Sequence, residues 1–240
     1  LMTKSYNAAQ LKYLALACML IDHLAALVLM PHWGIYLGIW DLDQALMMTG
    51  SMRAHALLCL AMRYIGRLAF PIFCFFVVEA MQHTHSQERY LLRLAALAVV
   101  SEIPFDLAVF GRPFDTSYQS TILTLLLGAV TIYLLEKIAR YYPQKAQGIL
   151  SLSVVLVMMA LSKFLHTDYD TFGILLITCL YALKGERHSQ CTLGAMLSLS
   201  QATAALAFVP LYHYNGQRGH QWKYLFYIFY PTHLLILAML

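Results

Sequence analysis

The sequence predicts an all-α, polytopic membrane protein with about eight transmembrane helices. Hydrophobic residues make up 60% of the 240 positions and charged residues only 12%, about half the charged share of a soluble domain. The mean hydropathy is +0.63, and apolar runs of membrane-spanning length recur along the chain. So little polar surface cannot cover a water-soluble globule, and the class of soluble domains is excluded.

Eight apolar runs follow one another, and each predicts one helix. A polar loop after the first run has room for a short interfacial helix, and no internal repeat or soluble appendage is visible, so 1–240 is predicted to be a single domain. The first run is too long for a signal-peptide core and is expected to stay in the mature protein. The eight runs are 11–30, 57–81, 91–110, 120–136, 148–164, 170–184, 192–211 and 223–240.

Loop charges predict the orientation. With the N-terminus inside, eight Lys and Arg residues lie in cytoplasmic segments and five lie outside, and this bias favours a cytoplasmic N-terminus in the cell membrane. Eight spans would also make the C-terminus cytoplasmic. The inner set is Lys4, Arg89, Arg93, Lys137, Arg140, Lys145, Lys184 and Arg187, and the outer set is Arg53, Arg112, Lys163, Arg218 and Lys223.

The sequence predicts neither nucleic-acid binding nor disulfides nor a metal site. The net charge of +4 fits basic cytoplasmic loops, and no basic face with interleaved aromatics predicts nucleic-acid binding. The five cysteines form no CxxC pair and lie in or beside apolar runs, which favours packed small side chains over disulfides or a metal site. His83 and His85 have metal-ligand spacing, but a solvated loop is the favoured interpretation, so we expect no metal.

Ionisable residues within the apolar runs are the informative ones. A charge at mid-helix costs about 2.5–3.5 kcal/mol on insertion scales, so such residues mark interior sites or pathways. A rise of about 1.5 Å per residue places one base, one cation and one acid (His23, Arg67 and Asp106) at similar depths. The alternative is a set of helix-to-helix polar contacts without chemistry. The full set is Asp22, His23, Arg67, Glu79, Glu102, Asp106 and His233.

Lys12 and His23 share one face of the first helix. They are eleven residues apart, which is about three full turns and about 16 Å along the axis. A cation at the cytoplasmic edge and a deeper imidazole on the same stripe suit an elongated anionic ligand, and coenzyme A thioesters have that shape. An ordinary lysine at a helix start is the alternative for Lys12.

Other polar and proline positions have structural explanations beside functional ones. Pro71 lies inside the second predicted helix, where a kink would open room for a ligand or serve architecture alone. Glu79 and Glu102 are expected to bind Arg89 or Arg93. Asp168 and Asp170 are typical of a helix N-terminus.

Six sequence blocks together resemble the TraX family. They are "LKYLALACMLIDH", "RYIGRLAFPIFCFFVVEAMQHTHS", "YLLRLAALAVVSEIPFDLAVF", "TLLLGAVTIYLLE", "TDYDTFGILLI" and "YLFYIFYPTHLLIL", and they cover most of the chain. The family takes its name from a conjugation protein associated with N-acetylation of F-pilin. It is similar in turn to larger membrane acyltransferases, including the acyltransferase-three O-acetylases and the lysosomal heparan-glucosaminide acetyltransferase.

The resemblance implies an acetyltransferase that uses acetyl-CoA as donor and places an acyl-CoA site among the helices. In the O-acetylases the first helix carries an Arg, ten residues and an essential His; this sequence has Lys12 and His23 at those positions. Lysine keeps the charge but lacks the bidentate guanidinium fork. His233 is a position of the family motif and is expected to line the acyl-CoA channel, with a buried, hydrogen-bonded histidine as the alternative. Pro71, Glu79 and Glu102 are also assigned to that site.

The chemistry of the residues agrees with this role. An imidazole that titrates near neutrality suits a base that deprotonates the acceptor amine or hydroxyl. Asp22 points about 100° away from His23 on the helix, so it is expected to pair with Arg67 or to tune the local electric field. Asp106 is the candidate for orienting His23. Arg67 has two candidate roles, stabilising the oxyanion and holding a coenzyme phosphate, and its depth favours the oxyanion.

The rival function is a small proton-coupled transporter or channel that uses the same buried layer of Asp, His and Arg side chains. The sequence names no acceptor beyond an amine or a hydroxyl. The lipid bilayer is a predicted partner, and a homo-oligomer is left open.

Overall fold

The computed structural model describes residues 5–222 and 224–240, and most of these residues are helical. The described part of the chain has two isolated β-bridges and no β-strand, so the all-α class is confirmed. Lys4 and Lys223, used for the loop charges, lie outside the described residues. The helices are α1 Ala8–Leu24, α2 Leu42–Met47, α3 Gly50–Gly66, α4 Ala69–His83, α5 Gln87–Phe110, α6 Thr121–Tyr141, α7 Gln144–Phe164, α8 Asp170–Ala182, α9 Arg187–Ser198, α10 Phe208–Tyr212 and α11 Leu225–Ala238.

The protein is a polytopic membrane protein, but the predicted count of eight spans is not confirmed. Within the described residues, five helical stretches are long and apolar enough to cross a bilayer. α8 and α11 are apolar but shorter. α5 is a continuous helix, but its apolar sequence contains Glu102 and Asp106 in addition to the charged residues near its start. The five stretches are Ala8–His32, Gly50–His83, Thr121–Tyr141, Gln144–Phe164 and Arg187–Tyr212.

Two of these five stretches are interrupted near their middles. The stretch Gly50–His83 is broken by a turn at Arg67 and Leu68, between α3 and α4. The second passes through a 3₁₀ segment, Leu199–Ala207, in which Ala202 has a positive φ of 54°. Non-helical backbone at membrane depth must be satisfied by protein or by a wet cavity, and here Thr203 Oγ1 donates a 2.5 Å hydrogen bond to the Tyr64 carbonyl oxygen.

The kink predicted from Pro71 is present as a break in the helical stretch Gly50–His83. The break lies at Arg67 and Leu68, and Pro71 lies in the first turn of α4. A missing backbone N–H there removes no intrahelical hydrogen bond, and the fixed φ of proline suits a helix start. Arg67 is the residue four before Pro71, and in a continuous helix its carbonyl would clash with the proline ring, so the break lies where a proline kink is expected.

α1 continues beyond Leu24 through a π-helical turn, Ala25–Leu29, and one short α-helical turn, Met30–His32. The Met30 N–H bonds the Ala25 carbonyl, five residues back. Pro31 explains the wider turn, because its ring would clash with the carbonyl four residues back in a regular α-helix. π-helical turns of this kind are frequent at functional sites, and His23 lies just before this one.

The chain divides into two compact units, and the boundaries fall inside α4 and α9. The first unit comprises the described residues up to Ile72 together with Cys191–Leu240. α1 packs along α3, and α2 provides the short helix expected in the polar loop. A cluster of buried hydrophobic side chains packs together where the end of the first helical stretch meets α2 and α3. Its members are Met30, Ile35, Leu37, Ala45, Ala56, Cys59 and Leu60.

The first helix begins earlier than predicted because it is capped. Asn7 Oδ1 accepts from the Gln10 N–H at 3.0 Å, and Gln10 Oε1 accepts from the Asn7 N–H at 2.9 Å. This reciprocal capping box satisfies N–H groups that a helix start otherwise leaves unpaired. The N–H groups of Ala8 and Ala9 donate to the carbonyls of Gln217 and Arg218 at 2.8 and 3.1 Å.

α1 and α11 run in the same direction within the first unit. Tyr13 packs on Phe226, with ring centroids 5.7 Å apart, and further along both helices His23 lies beside His233. The start of α1 and the end of α11 are therefore at opposite ends of the unit. This arrangement argues against the prediction that both chain termini are cytoplasmic, and Arg218 lies at the end where α1 begins.

The second unit, Phe73–Gln190, is built around α6, α7 and α8, which pack against one another, while α5 packs on α6. Gly128 on α6 permits the close approach of α8, because a Cβ there would lie 2.2 Å from Ile177 Cδ1. Such small residues let membrane helices pack closely. α5 is capped by Ser86 at its start and ends at Gly111, which has a positive φ of 67°.

The parallel arrangement of α1 and α11 predicts the sidedness of three positions. Single cysteines introduced at Ser5 and Gln217 should react alike with a membrane-impermeant thiol reagent in intact cells, because both positions lie at the end where α1 begins. A cysteine at Leu240 should show the opposite accessibility. The parent protein with its five free cysteines is the background, and equal labelling of Ser5 and Leu240 positions would contradict the arrangement.

Candidate functional site

Two histidines that are 210 residues apart in the sequence form a hydrogen bond in the first unit. His23 lies in the last turn of α1 and His233 lies in α11. The distance from His23 Nδ1 to His233 Nε2 is 2.7 Å, and the ring planes differ by 3° with centroids 5.0 Å apart. This geometry places the two imidazoles edge to edge in nearly one plane, with the bond between the facing nitrogens.

A second bond assigns the protons of this pair. His233 Nδ1 lies 2.7 Å from the Phe229 carbonyl oxygen. A carbonyl oxygen only accepts, so Nδ1 of His233 carries the proton, and Nε2 of the neutral ring is an acceptor. His23 Nδ1 must then be the donor, and the lone pair of a neutral His23 lies on Nε2. The two hydrogen bonds that link the Phe229 carbonyl, His233 and His23 therefore select one tautomer of each ring.

The surroundings of His233 hold it in this orientation. Only 5% of the residue is exposed. Its ring stacks on Phe229 at 20° and 4.9 Å, and Tyr230 meets it edge-on at 5.6 Å. Expected to line a coenzyme channel, His233 instead has its Nε2 against His23, and its contribution to a channel stays a prediction.

Asp22 forms a buried ion cluster with two arginines of the same unit. Its Oδ2 accepts from Arg67 Nη2 at 3.2 Å, which confirms the predicted pairing, and from Arg63 Nη1 at 2.8 Å. The three side chains are only 11–21% exposed. Shared, partly desolvated charge-assisted bonds of this kind are stronger than exposed ion pairs.

Gly66 makes room for this cluster. A Cβ at position 66 would lie 2.2 Å from Asp22 Cβ and 2.4 Å from Asp22 Oδ1. The carboxylate thus lies directly against the backbone of α3, with one arginine before the glycine and one after it. Because successive residues differ by about 100° around a helix, fixing Asp22 on α3 also fixes where His23 points.

Lys12 lies near the start of α1, which is continuous to His23, so the predicted shared face follows from helix geometry. Its Nζ lies 3.4 Å from Gln221 Oε1 and 5.4 Å from the centroid of the Phe226 ring. These contacts hold the ammonium beside α11. Its role toward a coenzyme stays a prediction.

Three predicted site residues belong to the second unit. Glu79 pairs with Arg187 at 3.7 Å, and Glu102 accepts from the Ser120 N–H at 3.2 Å and the Ser120 hydroxyl at 2.9 Å. The expected pairing of these acids with Arg89 or Arg93 is therefore wrong. Glu102 lies more than two turns beyond Arg93 on α5, and the loop before α6 provides its partners.

Asp106, also in the second unit, is 2% exposed, and its Oδ2 accepts from the Asp115 N–H at 2.9 Å. This bond ties α5 to the loop that follows it. Asp106 was expected to orient His23 through a hydrogen bond. In the structure the hydrogen bond of His23 Nδ1 is made with His233. The catalytic assignment of Asp106 stays a prediction.

Sequence reasoning missed Arg63, Gly66 and the pairing of the two histidines. The first two had a visible signal in "RYIGR", where arginines four residues apart share a helix face and the glycine lies between them. The histidine pair had none, because helix contacts between residues 210 positions apart leave no local pattern.

These features define a polytopic, all-helical membrane protein whose first unit holds paired imidazoles beside a buried ion cluster. The chain belongs to the TraX family, since the family model described as TraX protein matches residues 7–240. The resemblance indicated by the six sequence blocks is thereby confirmed.

A relative with a curated description is "Probable fimbrial assembly protein FimC, serogroup H1" of Dichelobacter nodosus, which is 25% identical to this chain over 256 aligned residues. The alignment covers 97% of this chain and 95% of the relative, so the similarity extends over nearly the full length of both. No solved structure matches the chain.

The Gly66 contact predicts a large cost for one methyl group. Gly66→Ala should lower the free energy of unfolding by about 2–4 kcal/mol, because the new Cβ displaces Asp22 and breaks its bonds to both arginines. The measurement is the thermal unfolding midpoint in detergent micelles. Gly148→Ala is the matched control: a Cβ there meets nothing within 4 Å, and alanine is favoured over glycine in a helix by about 1 kcal/mol. Equal midpoints for the two variants would contradict the contact.

Proposed function

We propose that this protein is a membrane-embedded acetyltransferase that moves an acetyl group from acetyl-CoA to an amine or hydroxyl acceptor. The observation that carries the proposal is the tautomer of His23. The bond from its Nδ1 to His233 leaves the lone pair of the neutral ring on Nε2. A base with one defined accepting atom is what deprotonation of an attacking amine or hydroxyl requires.

In the proposed reaction the acceptor nitrogen or oxygen attacks the thioester carbonyl carbon of acetyl-CoA while His23 Nε2 takes its proton. The carbon–sulfur bond breaks, the electron pair stays on sulfur, and the imidazolium returns the proton to the thiolate. The products are the acetylated acceptor and free coenzyme A. His233 is a positioning residue here, since it holds His23 Nδ1 and touches no reacting atom.

The neighbouring cations have proposed roles in the same reaction. Arg67 stabilises the negative charge that develops on the carbonyl oxygen, and Asp22 holds its guanidinium in place at 3.2 Å. Lys12 binds phosphate of acetyl-CoA about 16 Å from His23 along α1. We propose entry of the donor from the cytoplasm at the end where α1 begins.

The relative from Dichelobacter nodosus suggests where to look for the acceptor. Its name assigns it to fimbrial assembly, and family membership adds the link to pilin acetylation. A pilin amino group is therefore the first acceptor to test, ahead of amino sugars and cell-wall polymers.

One observation favours the rival function. Two membrane-length stretches are interrupted, at Arg67 and at Ala202, and broken helices occur in transporters at their binding sites. A proton-coupled transporter would move substrate in proteoliposomes without acetyl-CoA, whereas the acetyltransferase would release free thiol from acetyl-CoA when acceptor is added.

The acetyltransferase proposal predicts the effect of His23 substitutions. His23→Ala should lower turnover by about 10²–10⁴-fold, the usual contribution of a positioned general base, while acetyl-CoA affinity changes little because the donor binds along its whole length. His23→Gln should be no better, since an amide cannot take the proton. The assay is acceptor-dependent thiol release by purified protein, with binding measured by calorimetry.

His83→Ala serves as the control, because it removes an exposed imidazole at the end of α4 in the second unit. It should retain the turnover of the parent. A His23→Ala protein that binds acetyl-CoA and acetylates at the parent rate would refute the role of His23.

The positioning role of His233 predicts a graded series. His233→Leu removes the acceptor for His23 Nδ1–H and should lower kcat by about 10–100-fold with little change in KM for acetyl-CoA. This is the range found when partners that orient metal-binding histidines are removed. His233→Gln keeps an acceptor oxygen and should recover part of kcat. If both variants lost activity equally and in step with thermal stability, His233 would be only structural.

A further inference from the structure

A polar cavity of about 630 Å³ lies in the second unit, and none of the residues with a role in the proposed acetyl transfer lines it. It is bounded by the turn between α4 and α5, the end of α6 and the turn after α8. Its volume is within the range of about 300–1,000 Å³ typical of small-ligand sites. The charged side chains that line it are Glu88, Glu136, Lys137, Arg140 and Lys184.

The two carboxylates of the cavity already have partners inside the unit. Glu136 accepts from Gln87 Nε2 at 2.6 Å and from the Tyr181 hydroxyl at 3.3 Å, and it pairs with Lys184 at 3.7 Å. Glu88 accepts from the Tyr133 hydroxyl at 3.0 Å. The acids are therefore held by the walls of the cavity, and Lys184 is held with them.

Lys137 and Arg140 are different. Neither forms a direct ion pair with a carboxylate among residues 5–222 and 224–240, although Lys137 interacts with the Tyr133 hydroxyl and is attracted by Glu88. Their spacing of three residues places them on one side of α6, where both line the cavity. Lys137 Nζ lies 5.0 Å from the centroid of the Tyr133 ring, so an aromatic face borders the same cations.

We propose that this cavity binds a phosphate ester, with Lys137 and Arg140 on the phosphate. Guanidinium presents a fork that matches phosphate oxygens, and the lysine adds a point charge. A lone phosphate would occupy only part of the volume, so the ester carries a polar body, and that body contacts the Tyr133 ring and the free acceptor sites of the carboxylates. The site does not depend on acetyl transfer.

Two kinds of ligand carry a phosphate ester of this description, a soluble nucleotide and an anionic lipid headgroup, and the experiment distinguishes them. The soluble source is a nucleotide phosphate, probed with adenosine 3′,5′-bisphosphate by calorimetry on the full chain in phosphatidylcholine nanodiscs. The membrane source is an anionic lipid headgroup, probed by native mass spectrometry of protein from nanodiscs that contain phosphatidylglycerol.

Substitution of both cations, Lys137→Ala with Arg140→Ala, should weaken binding of whichever probe the parent binds by at least about tenfold. Arg140→Lys alone should have an intermediate effect. Lys145→Ala is the matched control, since it removes an exposed cation from the following helix that does not line the cavity, and it should change binding by less than about twofold. Thermal unfolding midpoints equal to the parent's confirm that each variant is folded.

Loss of nucleotide binding in the double variant identifies a nucleotide site, and loss of lipid retention identifies a headgroup site. The proposal is overturned if the parent binds neither probe, or if the double variant binds as the Lys145→Ala control does.

Discussion

The packing of Asp22 against Gly66 is the constraint on which the first unit depends. A carboxylate that lies on a backbone and bonds two arginines has little freedom to rotate or slide. It therefore fixes the rotation of α1 about its own axis, and with it the direction of the next residue, His23. An apolar contact would be less selective, because dispersion attraction has no preferred direction. The buried charge of Asp22, although costly in free energy, thus sets the rotation of α1, whose other residues are mostly apolar.

The histidine pair shows how a membrane interior can use a neutral partner for orientation. A carboxylate beside an imidazole holds the ring through charge, but in a medium of low dielectric constant a second charge is costly to bury. A backbone carbonyl, one neutral imidazole and a second imidazole achieve the same selection of tautomer through neutral hydrogen bonds. The proton that the proposed reaction places on His23 is then the only charge added to that pair.

Local signals in the sequence were sufficient for the class of fold, the family and the individual ionisable residues. Burial of Asp22 and its bond to Arg67 followed from helix geometry and the cost of unpaired charge. A kink in the second predicted helix followed from Pro71, but the hydrogen bond from Thr203 to the Tyr64 carbonyl beside the break could not be predicted, because Thr203 belongs to a distant segment. For the same reason Glu102 was given the wrong partner: Ser120 is near it in space, whereas Arg93 is near it only in sequence.

The parallel pairing of α1 and α11 has a consequence for biogenesis. α11 is synthesised after all the other described helices, so His23 meets His233 only when the last of them has been inserted. Until then the nascent chain holds an imidazole with no fixed tautomer, and the proposed base is not assembled. The pairing of the two imidazoles, and with it the fixed tautomer of His23, therefore forms only when the last described helix has joined the first.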